Sequence, residues 1–408
     1  MIDFAHLSNA HRRALELVRE VATDENCRPF LVGGPVRDLL LGRSAFDLDF
    51  TLEENSSTFA RALAKRISGR VKSFPQFLTY KITADQMPEI DIATARKEKY
   101  RKPGALPSVA PGHLRDDLLR RDFSINAMAL DVTDETLHDP SNGARDLNDR
   151  LVRVLHDESF VDDPTRIYRA IRLACRLGLS IEPHTTALMR KALESGAMDS
   201  ITRERIWHEI FLAMDEADAA AILSSLAREG ALDALFGRRS VDEPMLEAVQ
   251  KLVAENPELD RYVLYTGALL RGDASPIELE GSGFSQKRAR NVVQIANESG
   301  RFVDALKESR SERQRLRVLR HASQELLSLL MATQPDDERH LARFREFRSF
   351  TIPLRGNELQ LPPGPHISRA LERTREAVFT GEIAVEAARD FAQRLAEKYL
   401  KSADPAKS

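Results

Sequence analysis

Apolar positions along the first third of the chain change period repeatedly. Leu15, Val18 and Val21 recur at helical spacing and predict a helix over residues 10–23. Residues 29–32 form a short apolar run that ends in Gly33-Gly34, as a strand entering a tight turn would. A second helix starts over residues 36–41, and Gly42 can end it. Residues 46–52 alternate: Phe46, Leu48 and Phe50 face one way, Asp47 and Asp49 the other. Helical spacing returns over residues 57–67 through Phe59, Leu63 and Ile67, and residues 77–83 and 89–94 alternate as strands. Residues 100–112 hold three prolines and two glycines, which predicts a loop.

Beyond about residue 135 the period-two pattern fades. From Asp163 onward helical spacing dominates, as in Ile167, Ile171, Ala174 and Leu177, then Ile206, Ile210 and Met214. Breaks fall at Gly230, at residues 273–276, at 334–336 and at 361–365. The pattern predicts an α+β head followed by a long all-α remainder.

A chain of 408 residues can build several cores. Its 42% hydrophobic and 30% charged content suits a protein rich in surface helix. No apolar stretch is long enough to span a bilayer, and Met1-Ile2-Asp3-Phe4-Ala5-His6 lacks the features of a secretory leader. Cys27 and Cys175 alone exclude a disulfide framework and a cysteine-rich zinc site. These features predict a cytoplasmic protein without membrane partners. The net charge of −3 argues weakly against nucleic acid, but arginines cluster at 313, 315, 317 and 320 and at 343, 345 and 348. Such clusters suit a phosphate backbone or a solvated helix face.

The acid pair changes the picture most. Two carboxylates side by side repel unless one is protonated or a cation joins them, and a hard divalent cation such as Mg²⁺ fits oxygen-only ligands. Gly33 and Gly34 let backbone N–H groups approach an anion, and Arg37, one turn on, can fork onto phosphate oxygens. Asp91, between Ile90 and Ile92, would lie on a polar strand face and could join Asp47 and Asp49. Arg121 and Asp122 can hold a ribose hydroxyl or a phosphate, or only cap a helix. Asp163 precedes Pro164 at a predicted helix start, with Arg166, Arg169 and Arg172 along one side. An Asp beside an Arg can read the edge of C or A, whereas U and G offer oxygens that a carboxylate repels. A helix cap with a solvated basic face would give the same residues.

Taken together, these segments resemble the class II tRNA nucleotidyltransferases (CCA-adding enzymes) and the bacterial poly(A) polymerases, within the DNA polymerase beta-like superfamily. The resemblance runs from Leu31-Val32-Gly33-Gly34-Pro35-Val36-Arg37-Asp38 with Asp47-x-Asp49, through Arg120-Arg121-Asp122-Phe123-Ser124-Ile125-Asn126-Ala127, where Ser124 stands for the usual Thr. It continues through Asp139-Pro140, Gly143 and Asp146-Leu147, then residues 163–172 and 204–209. It is specific over residues 28–215 and thin beyond.

The resemblance implies a seahorse-shaped chain: a nucleotidyltransferase head over residues 1–135, a helical neck over 136–235, a body over 236–340 and a tail over 341–408. Asp47 and Asp49 would hold Mg²⁺, with Asp91 a further catalytic carboxylate that the family keeps less uniformly. Gly33, Gly34 and Arg37 would hold the triphosphate of CTP or ATP, and Arg121 and Asp122 the ribose. Asp163 and Arg166 would choose the base, supported by Arg169 and Arg172. Body and tail would grip the acceptor and TΨC arms of tRNA. The implied activity is addition of CCA, or its C or A part, to a tRNA 3′ end. Poly(A) tailing and a catalytically silent RNA-binding role are the competing expectations. A phosphohydrolase lacks a His/Asp cluster.

Overall fold

The computed structural model describes residues 4, 7–43, 47–99, 102–105, 107–238, 240–272, 274–334 and 338–402. The expectations placed on Met1 to Ala5 and His6, apart from Phe4, on Phe46, on residues 100, 101 and 106, and on the breaks at 273 and 335–336 lie outside the described residues. The chain divides into two compact units, residues 1–240 and 241–408.

The first unit opens with α1 (Asn9–Asp24), capped by Ser8, whose hydroxyl accepts from the His11 N–H. Next come β1 (Phe30–Val32), α2 (Gly34–Leu40), β2 (Leu48–Leu52) and α3 (Ser56–Arg66). β3 (Arg70–Phe74), β4 (Thr79–Thr83) and β5 (Ile90–Thr94) follow, then a separate hairpin of β6 (Arg96–Lys99) and β7 (Ser108–Pro111). After α4 (Leu114–Leu119), β8 (Ala129–Asp131) and β9 (Leu137–His138) complete a seven-stranded sheet in the order β3-β4-β5-β2-β1-β8-β9. β2 and β5 run parallel and set Asp49 opposite Asp91. Leu48, Phe50, Leu52, Ile90 and Ile92 are buried on one face of the sheet, as the alternation requires.

Helices then take over: α5 (Gly143–Asn148), the short β10 (Leu151–Val152), α6 (Ser159–Asp162), α7 (Thr165–Leu177) and β11 (Ser180–Ile181). α8 (Pro183–Glu194), α9 (Arg203–Met214), α10 (Ala219–Arg228) and α11 (Asp233–Phe236) close the unit. α7 packs on α9 and α10, and the Tyr168 hydroxyl, almost fully buried, donates to the Ala231 carbonyl at 2.5 Å. The second unit is helical: α12 (Glu243–Glu255), α13 (Arg261–Leu269), α14 (Gln286–Glu308), α15 (Glu312–Leu319), α16 (Gln324–Thr333), α17 (Glu338–Ser349), α18 (Pro365–Phe379) and α19 (Ala388–Ser402). Ala370, Ala392 and Ala396 let α18 and α19 approach closely. No described helix is long and apolar enough to cross a membrane.

The pattern misplaced three stretches. β2 begins at Leu48, the first residue paired to β5, so Asp47 sits in a bend before the strand. Phe77 belongs to a 3₁₀ turn started by Pro75, which has no N–H for a ladder, and β4 begins only after Leu78. Residues 100–112 are not all loop, because β7 runs through one of the residues that looked like breakers, Pro111, in a two-stranded hairpin. The late arginines are partly spent inside the second unit: Arg343 pairs with Glu312 at 2.9 Å and Glu346 at 2.7 Å, and Arg313 and Arg317 flank Glu376.

Candidate active site

A cavity of about 600 Å³ in the first unit gathers Gly33, Gly34, Arg37, Asp47, Asp49, Arg121, Asp122, Asp163, Arg166, Arg169 and Arg172. Every residue singled out from the sequence lines it except Asp91. Asp91 lies in an adjoining hollow that shares Asp49.

The phosphate-type turn is built by glycine for a physical reason. Gly33 has φ +73°, and a Cβ there would stand 2.6 Å from an Arg121 guanidinium nitrogen. Its N–H donates to the Met128 carbonyl at 3.1 Å, which ties the turn to the segment before β8. Arg37, one turn into α2, is 4% exposed. Its Nε and one terminal nitrogen donate to Asp38 at 2.9 and 3.0 Å, and the other terminal nitrogen donates to Asn126 Oδ1 at 2.5 Å. The guanidinium is therefore locked in place, and an anion would share it with Asp38.

Carboxylates crowd at the head of β2. Burial, with Asp91 and then Asp47 adding repulsion against the opposing pull of Arg121, pushes Asp49 up to about 6. Burial also raises Asp91, against Lys81 at 3.6 Å. A group of oxygen donors under that strain suits a hard divalent cation.

Asp117 has no exposed surface and holds two arginines. Arg120 reaches one of its oxygens at 2.7 Å and Arg121 the other at 3.0 Å. Burial alone would raise this carboxyl, but Arg121 and Arg120 outweigh it and hold the group below its ordinary value. Arg120 also meets Glu98 of β6 at 2.7 Å. Asp122 is buried, accepts from Asn126 at 3.0 Å and pairs with Arg169 at 2.5 Å. Burial opposes its ionisation, yet Arg169 keeps it below the usual carboxylate range.

At the start of α7, Asp163 caps from one residue further out than the sequence suggested. The helix begins at Thr165, whose N–H and hydroxyl donate to Asp163 Oδ1 at 3.2 and 2.7 Å. Arg205 of α9 reaches the same oxygen at 2.8 Å. Arg166 is buried and donates to Ser159 Oγ at 2.6 Å and to the Arg120 carbonyl at 3.0 Å. Arg172 lies 3.7 Å from Glu209 and 3.9 Å from Glu216. Sequence reasoning left Asp117, Asn126, Glu98 and Arg205 out of the site. Asn126 and Arg205 lay inside the motif-like stretches, and the spacing of four between Asp117 and Arg121 was a further visible signal.

A mixed sheet sets a glycine turn, an acid pair at the start of β2 and an Asp/Arg pair at the start of α7 around one cavity. Residues 29–153 match the Poly A polymerase head domain family. Over 240 residues, 58% of this chain, the protein is 40% identical to the A-adding tRNA nucleotidyltransferase of Aquifex aeolicus and covers 29% of it. Over 98% of this chain it is 30% identical to the A-adding tRNA nucleotidyltransferase of Geobacter sulfurreducens and covers 49% of it. The chain thus spans about half or less of the length of these curated relatives. The structure of a CCA-adding enzyme in apo form matches at TM-score 0.83 and 25% identity, over 97% of each chain. The chain is thus similar to tRNA nucleotidyltransferases over nearly its whole length, and residues 29–153 match the head-domain family.

Proposed function

We propose that the chain is a template-independent nucleotidyltransferase that extends the 3′ end of tRNA, in the cytoplasm, from ATP or CTP. The observation that carries this reading is the meeting of the acid pair, the Gly33-Gly34 turn and the Asp163/Arg166 pair around one cavity. The family name of the relatives supplies the acceptor, and two of them are named for adding A. The helices beyond residue 241 would then serve as the tRNA-gripping body and tail.

In this reading Asp47 and Asp49 hold Mg²⁺, which would neutralise charge on the reacting phosphate when bound. Gly33, Gly34 and Arg37 orient the triphosphate, and Arg121, carried by Asp117, lies over the same turn. Arg121 and Asp122 hold the ribose, with Asp122 fixed by Arg169. Asp163 offers Oδ2, which has no partner among the described residues, to the exocyclic amine of A or C. Arg166 supplies the matching donors, and Arg169 and Arg172 support the wall. The chain's contribution is positioning and electrostatics, with no covalent intermediate.

The test offers tRNA lacking CCA, tRNA ending in CC and complete tRNA, each with CTP or ATP alone and Mg²⁺. One A added to the CC end, with none added to complete tRNA, establishes A addition. Added C residues extend the reading to C or full CCA addition. Long A tracts on any RNA would make the protein a poly(A) polymerase. No extension of any substrate would reject the proposal.

A further inference from the structure

Arg166 is held differently from its neighbours around the cavity. Arg37, Arg121, Arg169 and Arg172 each lie beside a carboxylate. Arg166, only 5% exposed, donates instead to two neutral oxygens, Ser159 Oγ at 2.6 Å and the Arg120 carbonyl at 3.0 Å. Ser159 has no exposed surface, so a bound nucleotide cannot touch it.

The place of Ser159 is set by α6, a single turn of helix that packs against α7 and α8. Phe160, the next residue, is fully buried and anchors that turn. The Ser159 N–H donates to the His156 carbonyl at 3.2 Å. A circuit of hydrogen bonds then runs through the base-choosing pair. The Asp163 N–H donates to the Ser159 carbonyl at 3.2 Å, and the Arg166 N–H donates to the Asp163 carbonyl at 3.0 Å. The Arg166 guanidinium closes the circuit on Ser159 Oγ. Two of the three links are backbone, so the hydroxyl is the link that a side-chain change can cut.

We propose that Ser159 is the positioning residue that fixes the Arg166 donors relative to the Asp163 carboxylate, and that it thereby sets how strictly the site rejects G and U. The proposal rests on the nucleotidyltransferase reading above. Reading a base edge needs a donor and an acceptor held at one spacing. An arginine side chain has many rotamers and must be tethered to keep that spacing. A carboxylate tether would also compete with the base for the guanidinium. A hydroxyl takes up one N–H and leaves the charge for the ligand. Serine is small enough for a place without exposed surface, and its oxygen is neutral. Burial makes the tether count for more. A buried guanidinium that loses an acceptor has no water to turn to, so it moves toward whatever oxygen is within reach. In an occupied cavity, those are the edge oxygens of G and U that the fixed geometry turns away.

The test measures nucleotide binding to the full chain by equilibrium dialysis, with ATP, CTP, GTP and UTP in turn and Mg²⁺ present. It compares the parent with Ser159→Ala and Ser159→Cys. The second keeps nearly the same volume and replaces the oxygen with sulfur, a weak acceptor. In both variants the preference for ATP or CTP over GTP and UTP should fall at least tenfold, chiefly through tighter binding of GTP and UTP. The better-bound of ATP and CTP should weaken no more than threefold, which also shows that the variants fold. A preference within twofold of the parent's overturns the proposal. So does an equal weakening of all four nucleotides, the result that a merely structural serine would give. A parent that binds all four alike overturns it as well. Dialysis reads out whether or not RNA is extended. A parent that selects ATP or CTP yet extends no tRNA would sink the functional reading and leave the role of Ser159 standing.

Discussion

Arg205 donates to Asp163 Oδ1 at 2.8 Å, the same oxygen that Thr165 holds. The other arm of Arg205 donates to the Gly104 carbonyl at 2.7 Å. Gly104 in turn donates its N–H to the Asp162 carbonyl at 3.2 Å. A Cβ on Gly104 would stand 2.6 Å from the Ser200 carbonyl oxygen, so the chain between β6 and β7 can lie this close only with glycine there. Arg205→Ala should loosen Asp163, leaving it held by Thr165 alone, and reduce discrimination against GTP and UTP by about tenfold, or roughly 1.4 kcal/mol. The ratio of kcat/KM values for ATP and GTP measures it. An unchanged ratio would leave Arg205 a structural tie only.

Asp117 is a buried carboxylate shared by two arginines. Removing one member of a buried pair leaves the others uncompensated, at a cost of about 3–5 kcal/mol. Asp117→Ala should lower the thermal midpoint of the first unit by the order of 10 °C. Asp117→Asn, which keeps the shape, should fold but raise the KM for nucleotide as Arg121 loses its anchor. Calorimetry with steady-state kinetics checks both, and a nucleotide KM unchanged in Asp117→Asn contradicts the anchoring role.

The pH dependence of stability follows from Asp49. Its folded pKa of about 6 lies above the ordinary carboxylate value of 3.8, so between those limits the folded state binds more protons than the unfolded one. Stability from this group is fully present below about pH 4 and is lost as pH rises through 6. Without divalent metal, Asp49→Asn should therefore be more stable than the parent at pH 7.5, by the order of 1–3 kcal/mol after allowance for solvent screening. The difference should vanish near pH 4, and Mg²⁺ should shrink it by stabilising the parent alone. Thermal midpoints across pH, with and without Mg²⁺, decide. Equal midpoints at pH 7.5 contradict the crowding.

Much of this was legible in the residues, for identifiable reasons. The Gly33-Gly34 turn, β2 and β5 show because a buried sheet face demands strict alternation. Leu48, Phe50, Ile90 and Ile92 supply it. β3 did not show: Arg70–Phe74 is an edge strand whose first four residues are exposed, so no buried face imprints a period. β7 was hidden by its own Pro111 and by Pro107 and Gly112 on either side. Within the site, residues that act alone at a turn or a cap carried a signal. Residues that act through a partner far along the chain did not. Arg205 sits 42 positions from Asp163, and Glu98 sits 22 positions from Arg120. Asp91 was found: alternation gives its face, and the register with Lys81 and Asp49 sets it beside Asp49, in the adjoining hollow.

Gly33→Ala tests the turn by the smallest possible change. The left-handed backbone costs about 1–2 kcal/mol for a residue with a Cβ, and the added methyl must also displace Arg121. Nucleotide affinity should fall at least tenfold with little change in tRNA binding. Isothermal titration with ATP or CTP reads it, and unaltered affinity would show that the turn does not hold the triphosphate.

The central claim is that the acid pair at the head of β2 drives nucleotide addition. Its most direct measurement is single-turnover extension of tRNA with α-labelled CTP or ATP and Mg²⁺, comparing the parent with Asp47→Ala, alongside filter binding of the same tRNA. The account predicts extension by the parent, a loss of at least a thousandfold in the variant and tRNA binding within about threefold. An Asp47→Ala protein that extends tRNA at close to the parental rate would contradict it.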